Sequence, residues 1–156
     1  MNSKVIERFV NSGRAVLSTE LGAQIGVGQL SAQKDNYVTQ DVTALVGVTG
    51  ELRGMVIFGL SKETALALVS HMMGQEFREL DAVAESGIAE LGNVVVGSAV
   101  TSLAEFGYKC GITPPAVVLG SNTVISTPNL HRLVFPLLTP SGTIEMQLAL
   151  RENGVR

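Results

Sequence analysis

Tryptophan is absent from this 156-residue chain, cysteine occurs once, histidine twice and aspartate three times. Each scarcity removes a class of function. The lone Cys110 cannot form an intramolecular disulfide, which fits a reducing cytoplasm, and it reads as a small buried hydrophobe. His71 and His131 have no metal-ligand spacing, and so few aspartates argue against a carboxylate metal cluster. His71 falls near the end of an apolar helical run, where an imidazole serves helix-end carbonyls more readily than a metal. No two Lys or Arg residues are adjacent and the net charge is −3, so there is no electrostatic footprint for nucleic acid. There is no Gly-x-Ser-x-Gly elbow, and "VGVTGELRG" lacks the lysine of a phosphate-binding loop. No unbroken apolar run approaches the length of a membrane span. "MNSKVIERFVNSG" carries charges where a signal peptide is apolar, so the expectation is a soluble, cytoplasmic protein with no membrane partner.

Charged residues are also scarce, at 16% against 46% hydrophobic. That is below the usual quarter, and it implies surface covered by self-contact or by a partner. The length suits one domain spanning residues 1–156, with a core that needs no staples.

Residues 3–20 carry an apolar stripe (Val5, Phe9, Val16, Leu17) behind Ser3 as a cap, with Gly22 as a stop, and predict a helix. "AQIGVGQLSA" alternates loosely as a strand. "DVTALVGVTGELRGMVIFGL" places two β-rich runs around Gly50-Glu51-Leu52, a hairpin pattern. Ser61 caps a second helix whose apolar residues Ala65, Leu66, Leu68, Val69 and Met72 lead to Gly74. Asp81 caps a long helix over 82–106, before Gly107. Three strand-like runs follow: "AVVLGSNTVIS", "HRLVFPLL" and "GTIEMQLALRE". Pro136 demotes the second to an edge or bulged strand, and Pro114-Pro115 makes a stiff extended approach to the first. The order predicts an α+β domain, with long helices packed on a largely antiparallel sheet. The pattern of one long helix followed by strands occurs twice, compatible with a degenerate internal duplication, although the halves share little sequence.

The long helix contains "AESGIAELGNVVVGSAV", residues 84–100. Ser86, Glu90, Asn93 and Gly97 fall on one narrow face, and Ala84, Ile88, Leu91, Val95 and Ala99 on the opposite one. A solvated polar side accounts for such a stripe in many helices. Glu-x-x-Asn occurs only once in the chain, however, and Gly87, Gly92 and Gly97 each cost about 1 kcal/mol relative to Ala inside a helix. Close approach of another helix, or room for a partner's backbone beside the stripe, would offset that cost.

"ELGNVVVGSA" resembles the active-site helix of the CheC/CheX family of chemotaxis phosphatases, whose signature is Glu-x-x-Asn, often with Ser or Asp four residues before the Glu. Ser86, Glu90 and Asn93 match position by position. "DVTALVGVTGELRGMVIFGLSKETALALVSHMMG" and "GYKCGITPPAVVLGS" resemble the family's segments before and after that helix. Members with two sites repeat the motif in the first helix. Here Glu7 is followed at the motif distance by Val10, and Asn11 lies one residue too far, so the chain is similar to the single-site CheX branch.

The resemblance implies a CheC-like fold and hydrolysis of the aspartyl phosphate of a CheY-like receiver in two-component signalling. It implies that Asn93 orients the attacking water, that Glu90 docks the receiver's lysine, and that Ser86 is accessory. It further implies Mg²⁺ on the receiver with no cofactor or metal on this chain, and a homodimer joined through a sheet edge, for which residues 116–126 are the expected strand. Two rival readings stand beside it: a non-catalytic module of the same fold that binds a receiver or a flagellar-switch component, and a structural dimer whose glycines serve only helix packing.

Overall fold

Helix boundaries in the computed structural model, which describes residues 1–127 and 130–153, follow the caps written into the chain. Helix α1 is Ser3–Leu21. Its cap is Asn2 rather than Ser3: Asn2 keeps extended backbone and its Oδ1 accepts from the Lys4 N–H at 2.8 Å, while Ser3 has already turned helical. Gly22 closes the helix in the left-handed region, at φ 60°. Helix α2 is Lys62–Met73, capped by Ser61 on the Thr64 N–H at 3.1 Å and ended by Gly74. Helix α3 is Ala82–Ala104, capped by Asp81 on the Ala84 N–H at 2.8 Å. It ends two residues before the expected 106, because Phe106 N–H and Gly107 N–H reach back only three residues, to Leu103 O and Ala104 O.

The main sheet holds β1 (Gly26–Val27), β2 (Ser31–Gln33), β4 (Val42–Gly50), β5 (Leu52–Leu60), β6 (Cys110–Ile112), β7 (Ala116–Leu119), β9 (Arg132–Thr139) and β10 (Gly142–Glu152). Its order is β1-β9-β10-β5-β4-β6, with β2 beside β1 on β9 and β7 beside β6 on β4. Every pairing among these described strands is antiparallel. The expected hairpin is β4–β5, in register Val42↔Leu60 through Val48↔Gly54.

Three strand expectations need correction. Pro136 does not make its strand an edge: β9 lies between β10 and the short strands β1 and β2. The proline acts on its neighbours instead. Gly28 N–H donates to Pro136 O at 2.9 Å, so the side of Pro136 without an N–H faces the β1–β2 segment. Pairing stops after Val27↔Leu137 and resumes only at Ser31↔Val134, which breaks the single strand expected over 23–32 into two. The run 116–126 also divides. Residues Ala116–Leu119 pair with β4, whereas β8 (Val124–Ile125) leaves to pair with β3 (Tyr37–Val38) in a separate two-stranded ribbon. The turn between them contains Gly120 at φ 128° and Asn122 at φ 63°, both suited to reversing direction. Strands β3 and β6 are too short to carry an alternating pattern, and nothing in the sequence announced them.

The helices cover one face of the sheet. Val42, Ala44, Val46 and Val48 of β4, Val56, Phe58 and Leu60 of β5, Phe135 and Leu137 of β9, and Ile144, Met146 and Leu148 of β10 join Val5, Phe9, Leu17, Leu68 and the buried stripe of α3 in one core. Alternation with period two puts all these strand residues on the same side. Phe9, Phe135 and Met146 are fully enclosed, each contributing about 1.5–3 kcal/mol by burial. By length and composition α3 is apolar enough to cross a membrane, but its apolar side packs against α1, α2 and the sheet, as a core helix does.

Candidate functional site

The back of α3 fixes what its front presents. Ala84, Ile88, Leu91, Val95 and Ala99 are all buried, as the helical spacing predicts. Ser98 Oγ meets Ser12 Oγ at 3.4 Å, and Ser102 Oγ accepts from Arg8 at 3.2 Å, which tie α3 to α1 along one flank. Held in this way, the helix turns Ser86 and Glu90 to solvent and leaves Asn93 and Gly97 half-buried. The structure therefore brings together the three residues singled out from sequence. Glu90 and Asn93 stand about 4.5 Å apart along the axis, on the same side.

None of the three side chains takes part in a hydrogen bond or ion pair among the described residues. A half-buried amide and a carboxylate with no internal partner leave their full donor and acceptor capacity for something outside the chain. Asn93 holds both functions in one neutral group, whereas Glu90 only accepts when ionised.

The three helix glycines have three different reasons. A Cβ at Gly87 would lie 2.7 Å from Met73 Cε and 3.2 Å from Val69 Cγ1, so this glycine lets α2 approach. A Cβ at Gly92 would touch Phe58 at 3.4 Å and Val46 at 3.6 Å, an ordinary contact with the sheet. At Gly97 it would meet only Ile112 Cδ1, at 3.8 Å. The fold itself gives no reason for glycine at 97, the one glycine of the polar stripe.

Helix α1 has no equivalent constellation. Val10, three residues after Glu7, is packed against the core. A depression beside α1 is lined by Asn11, Arg14 and Ser18, without a carboxylate. Among the described residues no group of three His, Cys, Asp or Glu side chains is placed to hold a metal ion.

Sequence reasoning missed the apolar margin of the site. Met73, Val83 and Val94 are exposed around Glu90 and Asn93, at 39%, 53% and 42%. By helical spacing Val83 and Val94 flank the motif on the Glu90 side, and Val94 also borders α1 beside Ala15 and Val16. Met73 belongs to α2, and only the packing of the two helices brings it there.

Residues 42–138 match the family described as chemotaxis phosphatase CheX, a span that includes Ser86, Glu90 and Asn93. The CheY-P phosphatase CheX of Thermotoga maritima is 33% identical over 128 residues, covering 81% of this chain and 83% of that protein. The CheX–CheY–BeF₃–Mg²⁺ complex from Borrelia burgdorferi contains a chain 30% identical, with a TM-score of 0.82 over 94% of this chain and 97% of that one. A chemotaxis protein CheX from Desulfovibrio desulfuricans is 27% identical, with a TM-score of 0.85 over 96% of this chain and 99% of that one.

Proposed function

The chain belongs to the CheX family of chemotaxis phosphatases, and on that premise we propose that it hydrolyses the aspartyl phosphate of a CheY-type receiver through Asn93 and Glu90. One observation carries the assignment of residues: the only Glu-x-x-Asn pair lies on the open face of a capped, well-packed helix, and both side chains lack partners among the described residues.

An acyl phosphate is already activated, and its transition state is loose, so catalysis consists mainly of positioning and charge stabilisation. Water oxygen attacks phosphorus, the bond from phosphorus to the aspartyl oxygen breaks with its electron pair left on the aspartate carboxylate, and a water proton passes to a phosphoryl oxygen, so that the products are aspartate and inorganic phosphate. Asn93 accepts a hydrogen bond from the water through Oδ1 and is oriented by donating from Nδ2. It changes no charge and removes no proton. Glu90, one turn earlier, takes the receiver's active-site lysine in a charge-assisted hydrogen bond and sets the docking register. Ser86 extends the stripe by one more hydroxyl.

The B. burgdorferi relative was solved with CheY, BeF₃ and Mg²⁺. The stripe of this chain offers one carboxylate, an amide and a hydroxyl, too few hard ligands for Mg²⁺. We assign the ion to the receiver. The acting unit is taken as residues 1–156, working in the cytoplasm, and its assembly as a homodimer joined at a sheet edge. Strand β7 supports that choice of edge, since among the described residues it pairs only with β4.

Phosphate release from a phosphorylated receiver tests the assignment. Asn93→Ala is expected to lower turnover by about 10² or more, the scale for removing one positioned polar group, with an unchanged melting temperature because no internal bond is lost. Turnover close to that of the wild type would refute the role of Asn93. Receiver binding without phosphate release by the wild type would favour the non-catalytic module.

A further inference from the structure

Beside Glu90 the surface sinks into a depression of about 520 Å³, lined by Met72 and Met73 of α2 and by Ala82, Val83, Ser86, Gly87 and Glu90 of α3. Gly87 contributes to its depth: a Cβ there would lie 2.7 Å from Met73 Cε, the flexible end of that side chain, and 3.2 Å from Val69 Cγ1, and without it the methionine tip rests on the bare backbone of α3. The lining is mostly apolar and open, with Met73 39% and Val83 53% exposed. Unbranched, polarizable methionine adapts to side chains of differing shape.

We propose that this depression is a docking subsite for an apolar side chain of the receiver, an aliphatic or aromatic residue adjoining the lysine that Glu90 engages, and that it selects among receivers. The inference rests on the reading of Glu90 given above. Its commitment to the receiver comes from shared walls. Ser86 and Glu90 belong both to the depression and to the polar stripe. Anything that fills the depression lies against Glu90, so a second copy of this chain seated there would compete with the substrate. A receiver that places its lysine on Glu90 covers the depression by the same approach. The two parts of the surface then divide the labour. The polar groups act on a feature common to phosphorylated receivers, while the apolar hollow reads a neighbouring side chain that differs between them. Specificity of that kind resides in binding, not in the chemical step.

The test uses the full chain with a CheY-type receiver phosphorylated by acetyl phosphate in Mg²⁺. Met73→Gln and Val83→Thr preserve shape while replacing apolar surface with polar groups, singly and together. The double variant is expected to raise KM for the phosphorylated receiver about tenfold, equal to about 1.4 kcal/mol, with the loss carried by KM and not by kcat. Loss in kcat at constant KM would overturn the proposal. So would KM within twofold of the wild type, or a changed mass in light scattering at constant KM, which would make the hollow a self-interface. Val83→Thr alone, at a half-exposed position in the first turn of α3, provides the answer if the double variant fails to fold. Absence of turnover by the wild-type protein would instead refute the parent reading, so the two failures are distinguishable.

Discussion

Replacing Gly97 separates the stability of α3 from its function. Glycine inside a helix costs about 1 kcal/mol relative to alanine. A Cβ at this position would meet only Ile112 Cδ1, at 3.8 Å, which is ordinary van der Waals contact and adds no strain. The backbone is helical here, and Gly97 O accepts from Thr101 Oγ at 2.9 Å, a bond the substitution leaves alone. Gly97→Ala should therefore stabilise the protein by about 0.5–1 kcal/mol. For a chain of this size that is a rise of about 1–4 °C in melting temperature, read by differential scanning calorimetry. The larger Gly97→Leu should fold as well, since its side chain projects from the open face one turn beyond Asn93. If the glycine leaves room for the receiver, Gly97→Leu should weaken binding of a beryllofluoride-activated receiver about tenfold or more, equal to about 1.4 kcal/mol or more. A stable Gly97→Leu protein with wild-type affinity would refute the idea that docking explains this glycine. A melting temperature lowered by Gly97→Ala would refute the local geometry itself.

Glu90→Ala should weaken receiver affinity by about 1.5–3 kcal/mol, the range for a hydrogen bond to a charged group, while the melting temperature stays constant. Titration calorimetry that shows wild-type affinity would remove the docking role. On the face of the sheet away from the helices, Arg132 is buried, donates from Nε to Gln147 Oε1 at 2.7 Å and from Nη1 to Asp35 O, and lies 5.7 Å from the Tyr37 ring centroid. Gln147→Leu should cost about 2–3 kcal/mol in urea unfolding because it strands a donor of a buried charge, and Arg132→Met should cost less because it removes the charge as well. Equal costs, or a larger one for Arg132→Met, would contradict that account.

Much of the architecture could be read without coordinates because its signals are local. Asp81 and Ser61 cap the helices they were expected to cap, and Gly22 and Gly74 end theirs in left-handed backbone. The buried stripe of α3 and the β4–β5 hairpin follow from spacing and from Gly50, at φ 99°. Less could be read where pairing joins distant segments. Pro136 marked an edge or a bulged strand; β9 is not an edge, and the missing donor is absorbed where pairing is interrupted between two short strands more than a hundred residues earlier. The run at 116–126 looked like one strand because its composition is uniform, but its two ends pair with different partners, β4 and β3.

At the site, the sequence by itself determined which groups are available. Helical periodicity fixes Ser86, Glu90 and Asn93 to one side and an apolar stripe to the other, whatever the helix packs against. Only the tertiary structure decided what surrounds them. Gly87 and Gly97 look alike in the sequence, yet one accommodates the tip of Met73 and the other would bring a side chain no nearer than Ile112 Cδ1, at 3.8 Å. Met73, from the neighbouring helix, meets Val83 at the margin of Glu90 to form the apolar hollow. Spacing along one helix follows from its backbone geometry and can be counted. The approach of two helices depends on how all their side chains fill the space over the sheet, and no segment of the chain encodes that alone.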